Sequence, residues 1–407
     1  MDRATDTDTE AGFDVREDFQ RFSQRDDIFC RSFWDPEVRT HRSDMFYETY
    51  RTPKLTWRAV DGFTQRDYAL RNASWHVTDI FAELRDGDDR REGFLDPYTS
   101  VREGPGQTLE VESPEEMARE IKHAAKTLGA DLVGITGNDE RWLYTHAYSR
   151  ENEHEKPQEI STDLGNVIVI AQSMDRELLS TAPSALSGTA TGATYSRDTI
   201  VLLAIAQYIV NLGYRAVASM NDSALVIPLA IRAGLGEYGR HGLLITREYG
   251  PRVRLGKVFT DMPLAHDRPV RFGVKETCDI CRACTKGCPA GAIAGGEPST
   301  LVHNRSNIQG IRKWTTDAEK CFRFWANQNT DCSICIRVCP YNRDYRDRWS
   351  RVWRRLAGTR LRRLALWLDR VGGRGERLKP SRWWAAPGEA RRSAAAGGPP
   401  ARGRSTP

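Results

Sequence analysis

The cysteine runs CDICRACTKGCP (residues 278–289) and CFRFWANQNTDCSICIRVCP (residues 321–340) decide the fold of this 407-residue chain. They contain eight of its nine cysteines, and both end in Cys-x2-Cys-x3-Cys-Pro. This spacing is typical of [4Fe–4S] cluster ligands. Zinc sites use separated Cys-x2-Cys pairs, and disulfide frameworks belong mostly to small secreted chains, so both fit less well. The runs therefore predict two clusters and a role in electron transfer.

The last cysteine of each run is expected to bind the cluster of the other run, as in two-cluster ferredoxins. On this rule the first cluster is held by Cys278, Cys281, Cys284 and Cys339. The second cluster is held by Cys321, Cys332, Cys335 and Cys288. Clusters that share ligands in this way lie close together and form a path for electrons. The ninth cysteine, Cys30, is expected to be a buried apolar residue.

The composition is that of a soluble protein with two or three domains. Hydrophobic residues make up 39% of the chain, and no run of 18 apolar residues could span a membrane. The first ten residues are acidic and polar, unlike an apolar export signal. We therefore expect a cytoplasmic location, which suits oxidant-sensitive clusters.

The positive charge is concentrated near the C-terminus. Residues 341–407 hold 18 Lys and Arg but only 5 Asp and Glu, although the net charge of the whole chain is +5. Trp and Leu recur among these arginines at helical intervals, which predicts a basic, Trp-rich helical extension over residues 346–384. Its apolar face could pack on the body, lie on anionic lipid or contact nucleic acid. The Ala/Gly/Pro/Arg composition predicts a disordered tail over residues 385–407.

Three further regions precede this extension. Residues 1–110 are rich in charge and aromatics but show weak periodicity, so we expect irregular structure that wraps the core. Residues 111–270 alternate helical and strand-like segments, which predicts an α/β or α+β domain. Residues 271–345 then form a ferredoxin-like domain with two [4Fe–4S] clusters.

The domain over residues 111–270 begins with a clear helix signal. Ser113, Pro114 and Glu116 form a capping box with proline at the first helical position, and the helix should end near Leu128. The apolar runs Leu132–Thr136 and Val167–Ala171 suit buried strands. Thr199–Leu212 is apolar on nearly every side and predicts a buried helix.

Four glycines then fall within nine residues: Gly234, Gly236, Gly239 and Gly242. Such density indicates either tight turns or a backbone that approaches a flat ligand closely. The run matches the dinucleotide pattern G-x-G-x-x-G formally, but it follows a helical segment rather than a strand. We therefore expect no dinucleotide site here.

The run AGLGEYGRHGLLITREYGPRVRLGKVFTDMPL (residues 233–264), followed by the two cysteine runs, resembles the corrinoid and iron–sulfur reductive dehalogenases. The resemblance is clearest over residues 165–345. The segment FQRFSQRDDIFCRSFWDP (residues 19–36) also resembles the cytoplasmic, non-respiratory branch of that family. The resemblance implies a nitroreductase-like core that binds base-off cobalamin, fed by the two clusters. It also implies reductive removal of halide from an organohalide such as a halophenol or another haloaromatic.

The same resemblance assigns roles to single residues. Tyr195, in GATYSRDT, matches the family's catalytic proton donor, and Asn221 matches a supporting asparagine. The basic partner of the tyrosine is Arg254 or Lys257. Side chains three positions apart in a strand point to opposite faces, so only one of the two is expected to face the site. The four glycines are the candidate cobalamin contacts.

The electron donor is expected to be a separate ferredoxin or flavin reductase, since no reductase module follows the cysteine runs in this sequence. Two other functions stay open. One is an epoxyqueuosine-reductase-like cobalamin enzyme that acts on tRNA, which the basic extension favours. The run Gly239-Arg240-His241-Gly242 speaks against it, because that family carries a Gly-Lys-Asn type run there. The other is an electron carrier without catalysis. We expect no nucleic acid partner.

Overall fold

A four-stranded antiparallel sheet lies at the centre of the computed structural model, which describes residues 8–51, 57–83, 102–148, 155–158, 160–373 and 375–385. The strands are β1 (Leu132–Gly137), β2 (His146–Tyr148), β3 (Glu155–Pro157), β4 (Asn166–Ser173), β5 (Ala216–Ser219), β6 (Gly236–Tyr238), β7 (Leu244–Thr246) and β8 (Val253–Thr260). The sheet has the order β1-β4-β8-β5, while β2–β3 and β6–β7 form two small hairpins. The fold is therefore mixed α and β, as predicted.

Fourteen helices and two 3-10 turns surround these strands in the described part of the chain. The 3-10 turns span Gln24–Asp26 and Glu140–Trp142. The helices are α1 (Ile28–Trp34), α2 (His41–Arg51), α3 (Gln65–Glu83), α4 (Pro114–Thr127), α5 (Arg176–Ser180), α6 (Ala185–Asn211), α7 (Val226–Arg232), α8 (Val274–Cys281), α9 (Ala283–Gly287), α10 (Ala318–Gln328), α11 (Ile334–Arg337), α12 (Arg348–Ala357), α13 (Arg362–Val371) and α14 (Pro380–Trp384).

Both faces of the central sheet are covered. On β4, Ile168 and Ile170 point into one core with α4 and α6, while Val167 and Val169 point into another core with α7. The alternation follows from the strand period of two. Strand β4 is therefore apolar on both sides, and its neighbour β8 can present different side chains to two separate environments.

Several predicted elements are confirmed. Helix α4 begins where the capping signal places it, because the backbone N–H of Glu116 donates to Ser113 Oγ at 3.2 Å and Pro114 occupies the first turn. The strands predicted at 132–136 and 167–171 are β1 and β4, each slightly longer than its apolar run.

The buried helix α6 begins at Ala185, well before the predicted start at Thr199. The prediction was wrong because most of residues 185–198 are Ala, Gly, Ser or Thr, and of these only Ala has high helix propensity. Close packing accounts for their helical state. A Cβ on Gly188 would lie 2.4 Å from Asp331 Oδ1, and one on Gly192 would lie 2.3 Å from Ser74 Oγ. Tyr195 consequently lies inside the helix rather than at its start.

The N-terminal region is more regular than predicted. It contains α1, α2 and α3, and α3 packs along α6. The expectation of irregular structure was wrong because these helices carry many charged residues and only a weak apolar period, which hides them in the sequence. Tertiary packing against α6 stabilises α3 where propensity and period do not.

The C-terminal extension forms three helices rather than one continuous helix, and the two longer ones are α12 and α13. Their inner faces pack on the cysteine region through Trp353, Ala357, Ala365 and Leu366. The following helix α14 docks on α3, where Trp384 Nε1 donates to the Asp67 carboxylate at 2.8 Å. Packing on the body therefore explains one face of the extension. The tail predicted for residues 385–407 lies outside the described residues except for its first position.

A search of the described helices for membrane spans finds none that is long and apolar enough.

Gly134 on β1 offers a test of this packing. A Cβ there would lie 2.1 Å from the backbone carbonyl oxygen of Ala233, which cannot rotate away. We expect Gly134→Ala to destabilise the protein by about 1–3 kcal/mol, measured as a lower urea midpoint. The matched control is Gly165→Ala, because nothing lies within 4 Å of the added methyl. Equal midpoints in the two variants would contradict the close approach of β1 to α7.

Candidate active site and cluster-binding cysteines

Four thiols from both cysteine runs line one small cavity. They belong to Cys278, Cys281, Cys284 and Cys339. Burial raises the pKa of Cys339 well above its ordinary value, and the three neighbouring thiols of the group raise it further. Cys288, the last cysteine of the first run, is not part of this wall. The structure therefore brings the last cysteine of the second run to the first group, in the arrangement that the sequence predicts.

The remaining four thiols form a second group. Burial raises the pKa of Cys321 to about 12, and Cys332 and Cys288 contribute to the rise. Burial also raises the pKa of Cys335, which is influenced by thiols of its own group and by Cys284 of the first. The two groups are thus adjacent. Neutral buried thiols release their protons when iron binds, so cluster insertion and deprotonation occur together.

A large cavity of about 1000 Å³ lies beside the second group of thiols. Its volume is at the upper end of the range for cofactor and small-molecule sites. Most of the wall area is apolar. The polar side chains on its wall include those of Thr191, Tyr195, Asn221, Arg254 and Asp331.

Tyr195 is held in this wall from three sides. Asn221 Nδ2 donates a hydrogen bond of 2.6 Å to the Tyr195 hydroxyl. The Trp75 ring stacks on the tyrosine ring with a centroid distance of 5.0 Å and an interplanar angle of 28°. The side chain is almost fully buried, with 8% of the residue exposed. The hydroxyl therefore has a fixed position at the edge of the cavity.

Arg254 and Lys257 lie on opposite faces of β8, as strand alternation requires. The Arg254 guanidinium carbon is 5.3 Å from the centroid of the Tyr195 ring. Its Nε is buried and finds no acceptor among the described residues. Arg254 is thus the cation beside the tyrosine, and it keeps one donor unused.

Lys257 reaches the loop after β5 instead. Its Nζ donates to Ser219 Oγ at 2.9 Å and to the carbonyl oxygen of Met220 at 2.6 Å. Burial lowers the pKa of Lys257 to about 8, although Asp222 opposes the change. Because Met220 directly precedes Asn221, Lys257 fixes the loop that carries the hydrogen-bond partner of Tyr195.

A chain of polar contacts links the cavity to the second group of thiols. Thr191 Oγ1 donates to Asp331 Oδ2 at 2.9 Å, and an Arg254 Nη donates to the same threonine oxygen at 3.4 Å. Asp331 directly precedes Cys332 in the sequence. Leu243 lines the cavity and packs, as Cys335 does, against the apolar cluster that contains Ile336. The second group of thiols therefore lies close to the cavity wall, next to Asp331.

A buried carboxyl group lies one helical turn from Tyr195. Burial raises the pKa of Asp198 to about 8, an effect that Arg197 and Arg254 reduce. Neither carboxyl oxygen finds a hydrogen-bond partner in the described part of the chain. Burial thus favours the neutral form of the Asp198 carboxyl group beside Arg254.

The four predicted glycines occupy different positions. Gly242 adopts a positive φ of 80° and lies in the cavity wall. Gly234 and Gly236 approach the protein's own backbone, since a Cβ on either would lie within 2.6 Å of a carbonyl oxygen. Gly239 packs against Ile245 and His241. Only Gly242 of the four therefore borders the cavity, and the others shape the β6–β7 hairpin and the turns beside it.

Sequence reasoning missed several residues of the cavity wall. Trp75 lies in a region expected to be irregular, and only a helical period over 65–83 could have revealed it. Thr191 and Asp331 carry no motif at all. Cys30 was expected to be buried, but it is half-buried and lines the cavity. Cys30 lies on α1, and the aromatic residues Phe29 and Phe33 of the same helix also line the cavity.

Comparison with known protein families gives two matches. Residues 152–264 match the family described as reductive dehalogenase subunit. Residues 277–342 match the family described as 4Fe-4S double cluster binding domain. The cysteine region of this chain is thus a domain that binds two [4Fe–4S] clusters.

Similar proteins include a tetrachloroethene reductive dehalogenase of Desulfitobacterium hafniense, 36% identical over 60% of this chain and 51% of the relative. The chain is also 31% identical to the epoxyqueuosine reductase of Salmonella typhimurium, over 56% of this chain and 65% of that protein. It spans about half the length of the dehalogenase.

Solved structures share the fold. A catabolic reductive dehalogenase superposes with a TM-score of 0.71 at 23% identity, covering 90% of this chain and 48% of the other. A reductive dehalogenase whose structure suggests a mechanism for B12-dependent dehalogenation superposes with a TM-score of 0.69 at 22% identity, with the same coverage.

The crossed ligand sets can be tested with alanine variants and electron paramagnetic resonance of the reduced protein. We expect the spectrum of Cys288→Ala to match that of Cys335→Ala, because both remove a ligand of the second group. It should differ from the spectrum of Cys281→Ala. Cys30→Ala is the control and should keep both signals. A Cys288→Ala spectrum that matches Cys281→Ala would show that each run binds its own cluster.

Proposed function

Because the chain belongs to the reductive dehalogenase family, we propose that it removes halide reductively from an organohalide, with two [4Fe–4S] clusters and base-off cobalamin as cofactors. The observation that carries this proposal is the fixed Tyr195 hydroxyl, bonded to Asn221 beside Arg254, on a large cavity that borders the second group of thiols. The overall reaction is R–X + 2e⁻ + H⁺ → R–H + X⁻. It needs an electron path and a positioned proton donor, and the site offers both.

Tyr195 is the proposed proton donor. Its hydroxyl lies in the wall, so it can deliver a proton to carbon without help from bulk water. The Arg254 guanidinium lies over the tyrosine ring, with its carbon 5.3 Å from the ring centroid, and places a positive charge beside the proposed donor. Asn221 holds the hydroxyl in place through the 2.6 Å hydrogen bond. Lys257 acts on the reaction only indirectly, through the loop that carries Asn221.

Cobalamin fits the cavity by size and by wall chemistry. The volume of about 1000 Å³ and the mostly apolar wall suit a large flat ring with a small substrate above it. At Gly242 the wall has no side chain, so a ring can come close to the backbone. The unused Nε of Arg254 can donate a hydrogen bond to the ligand. When bound, the cofactor supplies the electrons that break the carbon–halogen bond. Gly234, Gly236 and Gly239 contribute by shaping the hairpin that carries the wall.

The substrate class that we favour is the haloaromatics, halophenols among them. Trp75 and Tyr195 give the wall an aromatic surface next to a cation. An aromatic ring packs well on such a surface, and Arg254 can hold a phenolate oxygen.

The proposed electron path runs from the first cluster to the second and then into the cavity. This order is supported by Asp331, which lines the cavity and directly precedes Cys332 of the second group. The donor is an external ferredoxin or flavin reductase in the cytoplasm, where reducing conditions protect the clusters. A peripheral membrane contact through α12 and α13 is the competing role for the basic helices.

Anaerobic reconstitution with iron, sulfide and cobalamin tests the cofactor set and the reaction. We expect about eight irons and about one cobalt per chain, and halide release from a panel of halophenols under a strong reductant. If the protein binds iron but no cobalt, the result would contradict both the dehalogenase proposal and the epoxyqueuosine reductase alternative. Cobalt binding without halide release, but with conversion of epoxyqueuosine in tRNA, would favour the latter.

Replacement of the proton donor gives a second test. We expect Tyr195→Phe to lower halide release about 10²–10⁴-fold, with iron and cobalt contents unchanged. The matched control is Tyr208→Phe on the same helix, whose ring packs on the core away from the cavity. Unchanged turnover in Tyr195→Phe would reject the assignment.

A further inference from the structure

We propose that the outer face of α12 and α13 is the docking site for an acidic electron-carrier protein that delivers electrons to the first cluster. The proposal rests on the proposed function, because it gives the external donor a place on this chain. We call this surface the donor face. It consists of the exposed side chains between Arg348 and Val371.

The inner side of these helices lies directly on the first group of thiols. Thr277, which precedes Cys278, donates through Oγ1 to the carbonyl oxygen of Ala357 at 3.0 Å. Trp353 packs in the same core as Cys278 and Cys339. A protein bound to the donor face would therefore be separated from the first cluster only by this pair of helices.

The donor face carries positive charge without compensation. Its exposed cations are Arg348, Arg351, Arg355, Arg360, Arg363 and Arg370. Within the described residues none of the six forms an ion pair. Asp369 is the only acidic residue between 348 and 371, and it is buried in a salt bridge with Arg343. Such a surface attracts a partner with a carboxylate-rich rim, and it accelerates the encounter.

The centre of the donor face is apolar. Seven large side chains are exposed there: Trp349, Val352, Leu361, Leu364, Trp367, Leu368 and Val371. Leu361, Leu364, Leu368 and Val371 follow a 3-4-3 spacing and form one exposed stripe along α13. Tryptophan and arginine together are typical of binding hot spots, and an apolar centre with a charged rim is the usual anatomy of an interface.

The position of the donor face favours a protein donor over a lipid surface. Both occupants would be attracted by exposed Arg, Trp and Leu. A lipid contact has no need to lie over a redox centre, however, whereas an electron donor must bind there. The donor face covers the first cluster, and so lies at the entry end of the proposed path.

Charge reversal on the donor face tests the proposal through cluster reduction, which does not depend on dehalogenation. The variant is Arg355→Glu with Arg363→Glu, and its control is Arg119→Glu with Lys126→Glu on α4, both distant from the thiols. Bleaching of cluster absorbance is followed by stopped flow with an acidic plant-type [2Fe–2S] ferredoxin and with reduced methyl viologen. We expect the donor-face variant to be reduced by ferredoxin at least about tenfold more slowly at low salt. Reduction by viologen should be equal in all proteins.

Equal ferredoxin rates in wild type and donor-face variant would overturn the proposal. A second outcome would also overturn it: wild type binds phosphatidylglycerol vesicles, the charge reversal abolishes this binding, and the ferredoxin rate stays the same. Lipid would then be the occupant of the donor face. If ferredoxin reduces the clusters of the wild-type protein at the expected rate but no halide is released, the proposed function is contradicted and the docking site still stands.

A second variant covers the case in which charge reversal reduces the iron content. Trp367→Gln changes a side chain of a residue that is 56% exposed, at the centre of the donor face. Its iron content should equal that of wild type. We expect Trp367→Gln to slow the reduction of the clusters by ferredoxin, by a smaller factor than the charge reversal does. The salt dependence of this rate should stay as in wild type, since the arginines remain. An unchanged ferredoxin rate in Trp367→Gln would likewise count against the donor face.

Discussion

The burial of eight thiols in two adjacent groups is the constraint on which the rest of the structure depends. Burial raises the pKa of thiols such as Cys284, to about 11, and Cys321, to about 12. Iron must therefore displace their protons, and the short helices α8–α11 gain their order from ligation and from the elements around them. Helix α6 supports this region through Gly188, which lets Asp331 approach, and α12 and α13 cover the other side.

The two cysteine runs and the helix after Ser113 could be predicted from sequence, because their chemistry is local. Ligand spacing and a capping box are visible within a few residues. The first half of α6 could not be predicted, since its small residues are helical only because α3 and the Asp331 loop pack against Gly192 and Gly188. The same holds for Trp75, whose place beside Tyr195 depends on the docking of α3 onto α6.

The choice between Arg254 and Lys257 shows where sequence reasoning ends. Strand alternation predicts that the two side chains separate, but not which of them meets Tyr195, because that depends on the face of the sheet that α6 covers. The structure brings Arg254 to the ring and sends Lys257 to the backbone before Asn221. Both cations thus influence one tyrosine, one through space and the other through the conformation of a loop.

Asp331 connects the second group of thiols with the cavity wall. It directly precedes Cys332 in the sequence, accepts a hydrogen bond from Thr191, and through that threonine reaches Arg254 above the Tyr195 ring. In a cluster-loaded chain, an electron on the second cluster raises the proton affinity of the groups that it faces. By thermodynamic reciprocity, a proton held in the cavity makes that cluster easier to reduce. The midpoint potential of the second cluster and the protonation of the cavity are therefore linked quantities, set by one short path of side chains.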